Sequence, residues 1–225
     1  MARLARAVFP GLPHHVTQRG NGRQQTFFDD HDLALYRELL GTHCRAAGVE
    51  VWSYVMMPNH VHLILVPADE DGLRRALAPV HRRYAGHVHA RLKRTGHFWQ
   101  GRFGCAVMDE DHLGAAVRYV AMNPVRAGLV GRAADWRWSS TRTLLGLDDD
   151  GLTSTAPVRE RIPDLGALLD SAEDAERTMR LRRAETIGRP VGSNQWIEQL
   201  EQNSGRALHR RKPGRRGVEL SALSP

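Results

Sequence analysis

Two histidines one residue apart, His60 and His62, sit inside the apolar run MMPNHVHLILV at positions 56–66. Alternate residues of a strand point to the same face. A strand here would stand the two imidazoles side by side and pack Val61 and Leu63 on the opposite face. Two imidazoles on a rigid element form two legs of a metal site. Taken alone, the pair is as simply read as two half-exposed strand histidines. Farther on, Tyr119 and Asn123 are four residues apart, a spacing that shares one helix face. A hydroxyl and an amide oxygen can then be aimed at one point. His60, His62 and Asn123 could hold one divalent cation, with Tyr119 beside it. Such a donor set leaves coordination positions open, as a catalytic metal site requires.

The elements that must position these groups can be read from periodicity. PHHVTQRG (13–20) alternates His15, Thr17 and Arg19 against Val16 and Gln18, a first strand closed by Gly20, Asn21 and Gly22. Leu33, Tyr36, Leu40, Cys44 and Ala47 then recur at helical spacing, with Asp29 or Asp30 as N-cap and Gly48 at the C-terminal end. Residues 49–57 predict a second strand, Pro58-Asn59 a turn, and 60–66 a third strand. A second helix is expected over 72–94, a fourth strand over 98–109 and a third helix over 110–123. This β-α-β-β-α-β order predicts an α+β protein of the ferredoxin-like, split-βαβ arrangement, an antiparallel sheet with helices on one face. The helix after the last strand can pack near the sheet's open face and bring Tyr119 to the histidines.

Beyond about residue 147 the texture changes. LDDDGLTSTAP reads as a loop, followed by short charged helices near 170–187 and 193–203. The expected division is a catalytic domain over 1–147 and a helical extension with a basic tail over 148–225. The end, GRALHRRKPGRRGVEL, holds Arg206, Arg210, Arg211, Lys212, Arg215 and Arg216 and too few apolar residues for its own core.

The chain has 225 residues and a formal net charge of +7, from 32 Lys+Arg against 25 Asp+Glu. Lysine occurs only at Lys93 and Lys212, so the positive charge is almost all arginine. Arginine's planar fork suits bidentate contacts with phosphate and guanine, and the balance points to nucleic acid. The only cysteines, Cys44 and Cys105, are far apart and form no metal-binding or disulfide pattern. No apolar run is long enough for a membrane span and the N-terminus lacks a signal-peptide pattern. The expectation is therefore a cytoplasmic, nucleoid-associated protein with no membrane partner.

Four blocks in order, HVTQRGNGRQQTFF, MPNHVHLIL, GHFWQGRF and RYVAMNPVRAGLV, resemble the REP-associated tyrosine transposases. These are single-tyrosine relatives of the insertion-sequence transposases in the His-hydrophobe-His nuclease superfamily. The resemblance spans roughly residues 8–146. It implies His60 and His62 as metal ligands, Tyr119 as nucleophile and Asn123 at the position of a third, polar ligand, where relatives often carry glutamine. It also implies Mg²⁺ or Mn²⁺ as cofactor. The substrates would be single-stranded DNA and hairpins of repetitive extragenic palindromes, cleaved and rejoined through a 5′-phosphotyrosine. Relatives include dimers that exchange their tyrosine helices, which leaves the oligomeric state open.

Further candidate DNA contacts surround these blocks. Arg19, Asn21 and Arg23 flank a glycine-containing turn, for which a plain polar loop is an equal reading. Trp99, with Gln100 and Arg102 beside it, could stack on an unpaired base, or Trp99 could belong to the core. Arg126 lies just past the tyrosine helix, placed for a phosphate. Arg206, Arg210, Arg211, Arg215 and Arg216 would add affinity from the tail. Two rival functions remain: a hairpin-binding module with a silent site, and a histidine-metal hydrolase with another substrate. The absence of H-E-x-x-H and the basic charge argue against the second.

Overall fold

The computed structural model describes residues 6–209. Four strands, β1 (His14–Arg19), β2 (Val49–Met57), β3 (His60–Pro67) and β4 (Gly104–Val107), form one sheet in the order β2-β3-β1-β4. Each neighbouring pair is antiparallel. With α1 (Asp30–Ala46) after β1 and α2 (Gly72–Leu92) after β3, the connectivity is the ferredoxin-like arrangement expected from the sequence.

Strand alternation divides the core in two. On one face Val16, Val61, Leu63 and Leu65 meet Tyr36 and Leu40 of α1 and Leu73, Leu77, Val80 and Tyr84 of α2. On the other, Ile64, Val66, Val55 and Met57 meet Leu113, Ala116, Val117 and Val120 of α3 (Glu110–Ala121). Asp29 is the residue that caps α1, its carboxylate accepting from the Asp32 amide at 2.9 Å. Asp109 does the same for α3, accepting from the His112 amide at 3.1 Å.

The fourth strand is shorter than the expected 98–109. Gly96 and Gly101 take positive φ angles of 101° and 145°, and the chain between them folds into an aromatic cluster instead of extending. Phe98 and Trp99 meet edge to face at 4.7 Å, and the Trp99 indole N–H donates to the His81 carbonyl at 2.9 Å. The buried aromatic area and the satisfied indole outweigh the ladder bonds that a longer strand would make.

The chain beyond 147 holds more helix than expected. After α4 (Asn123–Arg126) and α5 (Thr141–Leu144) come α6 (Thr155–Arg161), α7 (Leu165–Asp170), α8 (Ala175–Ile187) and α9 (Asn194–Ser204). Val158, Leu165, Leu181, Ala184 and Val191 join the same apolar cluster as Ile64 and Val120. Helices α6, α7 and α8 thus cover the face of the sheet that carries α3, while α9 packs Leu200 with Val107 in a separate cluster. The triple aspartate is a turn, as expected: Asp149 accepts from Gly151, Asp150 from Leu152 and Thr153, and Asp148 from Thr143. Among the described residues, no helix is long and apolar enough to cross a membrane.

Candidate active site

The register of β1 against β3 sets the site. Arg19 lies opposite His60, Thr17 opposite His62 and His15 opposite Ile64. All point to the sheet face covered by α3, so the alternation that buries Val61 and Leu63 beneath also gathers three histidines above. His60 and His62 meet edge to face with ring centroids 4.9 Å apart. His15 Nε2 is 3.0 Å from His62 Nδ1, in a nearly parallel stack. His60 Nδ1 lies 2.6 Å from Asn59 Oδ1 in the Pro58-Asn59 turn.

Burial holds these rings neutral. It lowers His15 and His60 from 6.5 to about 4, with Arg19 assisting at His60. His62 is pushed well down by burial first and then by His15, His60, Arg19 and Arg126. A neutral imidazole whose Nδ1 is engaged is the form that ligates a cation through Nε2.

Helix α3 delivers Tyr119 to this cluster. Its ring stands edge-on to His62 at 5.3 Å and to His15 at 5.8 Å, and the residue is 7% exposed. The helix ends at Ala121, and Asn123 begins α4 with Pro124 behind it. Asn123 is half-buried, its amide nitrogen donating to the Tyr119 carbonyl at 3.4 Å. Arg126 is committed on both terminal nitrogens. One donates to the Tyr119 carbonyl at 2.5 Å, and the other meets Glu173 at 3.2 Å. Its guanidinium carbon lies 4.4 Å from the Tyr119 ring centre, and burial lowers its pKa.

A rim of the expected DNA contacts adjoins the histidines. The Asn21 amide donates to Phe98, and the Gln100 amide donates to the Arg19 carbonyl, both at 2.9 Å. Gly20 bridges to Trp99, and a side chain at Gly20 would collide with the Gln24 carbonyl and the Thr26 methyl. Arg19, Asn21, Arg23, Trp99 and Gln100 are thus drawn together, with Gln100, Arg102, Asn21 and Arg23 exposed and Trp99 half-buried in the aromatic cluster. Arg206 is elsewhere, donating to the Arg6 carbonyl at 2.8 Å. Arg210, Arg211, Arg215 and Arg216 lie outside the described residues.

Three residues at the site, His15, Glu173 and Arg182, whose guanidinium carbon lies 5.6 Å from the Tyr119 ring centre, were not singled out from sequence. His15 could have been, since it alternates in phase with Thr17 and Arg19 on the strand that must pair with the histidine strand. Glu173 and Arg182 sit in charged stretches with nothing to distinguish them from their neighbours. Among the described residues, no group of three or more His, Cys, Asp and Glu side chains is placed to hold a metal ion.

The split-βαβ sheet of this α+β protein gathers histidines and a helical tyrosine on one face. The chain belongs to the IS200-like transposase family, whose model matches residues 9–123. A solved REP-associated tyrosine transposase, bound to a REP hairpin, is similar in fold. It is 22% identical with a TM-score of 0.56, over 69% of this chain and 90% of that one. A transposase candidate from Deinococcus radiodurans R1 is 19% identical over 57% of this chain and 92% of that one, with a TM-score of 0.37. No curated protein matches the chain.

Proposed function

We propose that this transposase-family protein cleaves and rejoins single-stranded DNA beside hairpins of repetitive extragenic palindromes, through a covalent 5′-phosphotyrosine at Tyr119. The observation that carries this reading is the packing of Tyr119 on His62 and His15 of its own chain, at 5.3 Å and 5.8 Å. The donor chemistry fits a divalent cation. His60 and His62 are neutral, each has its Nδ1 engaged, and Asn123 Oδ1 is a candidate third ligand one helical turn from Tyr119. When bound, Mg²⁺ or Mn²⁺ would supply Lewis-acid polarisation of the scissile phosphate; imidazole ligands favour Mn²⁺.

The protein's own groups supply the nucleophile and its placement, with the phenolic proton passing to solvent and the departing 3′ oxygen taking one up from it. Tyr119 Oη forms a bond to phosphorus as the 3′ oxygen leaves, giving a 5′-phosphotyrosine and a free 3′-OH. One phosphodiester replaces another, so rejoining by the reverse attack of a 3′-OH needs no nucleotide cofactor. Arg126 fixes the end of the tyrosine helix, while Arg19 and the Asn21–Arg23 loop offer charge and donors to the strand entering beside His60.

The test is a denaturing gel of labelled hairpin DNA with a single-stranded flank. A protein–DNA adduct is expected from the wild type and none from Tyr119→Phe, with hairpin affinity nearly unchanged. An undiminished adduct from Tyr119→Phe would remove the tyrosine from the role. A second reading, a hairpin-binding protein without chemistry, draws on the low exposure of Tyr119, 7%. Tight hairpin binding with no wild-type adduct in Mg²⁺ or Mn²⁺ would favour it.

A further inference from the structure

The match to the family ends at Asn123, yet the surroundings of Tyr119 do not. Thr178, Leu181 and Ala184 form a buried stripe on α8, the i, i+3, i+6 spacing of a helix seated by one face. Leu181 and Ala184 enter the apolar cluster that holds Val120. Seating α8 in this way carries the neighbouring Arg182 to the tyrosine, with its guanidinium carbon 5.6 Å from the Tyr119 ring centre.

Two cations therefore face one aromatic ring, and they are not equivalent. Arg126 has both terminal nitrogens occupied, by the Tyr119 carbonyl and by Glu173. Arg182 is exposed and has no ion pair among the described residues. Burial first, and then the positive charges of Arg182 and Arg118, disfavour the Arg126 cation; an anion between the two arginines would relieve that like-charge arrangement. We infer that Arg182, from the helical extension, is a substrate-phosphate residue of the Tyr119 site, gripping a non-bridging oxygen of the strand on which the tyrosine acts.

This inference rests on the DNA-cleaving reading for its purpose, but its ligand can be probed without cleavage. The side-chain Nε–Hε signals of the full chain can be followed by NMR during titration with an oligothymidylate. The Arg182 signal should move with saturation and disappear in Arg182→Ala, whereas the Arg126 signal should shift less. Binding across a salt series should lose about 0.7 of log–log slope in Arg182→Ala, the loss expected for one phosphate contact on a single strand.

With hairpin DNA, Arg182→Ala should slow adduct formation at least ~10-fold, and Arg182→Lys should recover part of it, since lysine keeps the charge but not the fork. An unmoved Arg182 signal at saturation, or a salt slope equal to that of the wild type, overturns the inference. If Arg182 responds to the oligothymidylate while the wild type gives no adduct in either metal, the phosphate contact stands and the transesterase reading fails.

Discussion

His15 Nε2 approaches His62 Nδ1 to 3.0 Å across two neighbouring strands. The contact engages Nδ1 of His62 with the neighbouring strand and fixes the orientation of its ring. Residues that orient a ligating imidazole are worth 10–100-fold in metal affinity or activity. His15→Ala should therefore weaken Mn²⁺-dependent adduct formation within about that range and raise the Mn²⁺ concentration needed for half-maximal rate. Metal titration of the rate decides it. An unchanged half-saturation point would reduce His15 to a packing residue.

The histidines themselves should be less forgiving. His60→Ala and His62→Ala are each expected to abolish metal-dependent cleavage, as is a chelator with the wild type. Asn123→Ala should cost less, because its backbone role in starting α4 survives and only one candidate oxygen is lost. Equal losses in all three variants would promote Asn123 to a full ligand. Retained cleavage in either histidine variant, or in chelator, would refute a metal site on β3.

Acid should destabilise the protein well above the carboxylate range. Burial is the first cause at every ring: His14, His15 and His60 are lowered to about 4 and His81 to about 3, from 6.5. A ring with a depressed folded pKa contributes stability above its unfolded value and loses it as pH falls toward the folded one. The window is therefore 6.5 down to about 4, in which the unfolded chain binds more protons. Each such ring steepens the loss by up to about 1.4 kcal/mol per pH unit. Urea midpoints measured in chelator should fall steadily below pH 6.5; a flat profile from pH 7 to 5 would contradict the burial of these rings.

The tail can be tested apart from the fold. Leu208 is buried, and Glu201 accepts from the His209 amide at 2.8 Å; Arg206 ties back to Arg6. A chain ended after His209 keeps these contacts and removes Arg210, Arg211, Lys212, Arg215 and Arg216. Weaker hairpin binding is expected, with a salt slope flatter by about 0.7 for each lost single-strand contact. Tyrosine chemistry should persist at high DNA concentration. Identical affinity and slope would leave the tail without a part in binding.

Much of this fold is legible because its strands alternate cleanly and its helices carry caps. Val16, Val61 and Leu63 announce one buried face, and Asp29 marks a helix start. That Tyr119 and the histidine pair come together is legible through spacing and resemblance. Contacts made across long sequence separations are not legible. Nothing local joins His15 to His62 or Arg182 to Tyr119; the β1–β3 register and the seating of α8 create those pairs. The short β4 escaped for a different reason. Phe98 and Trp99 read as strand formers, but indole bonding and glycine geometry turn them into a cluster.

The Arg118 guanidinium, one residue before the tyrosine, donates to the carbonyls of Leu168, Leu169 and Ser171 at 3.0, 3.3 and 2.6 Å. With Arg126 on Glu173 and Leu181 in the α3 cluster, the tyrosine helix is sandwiched between its sheet and the later chain. During synthesis this has an ordering consequence. The sheet and α3 leave the ribosome before α7 and α8 can close over them, so a nascent chain passes through a stage with Val117, Val120 and the Arg118 donors unsheathed. Translational stalling or premature termination near Leu147 should then yield aggregation-prone fragments that are poor in tyrosine chemistry. The later helices are thus part of what holds the tyrosine helix on its sheet.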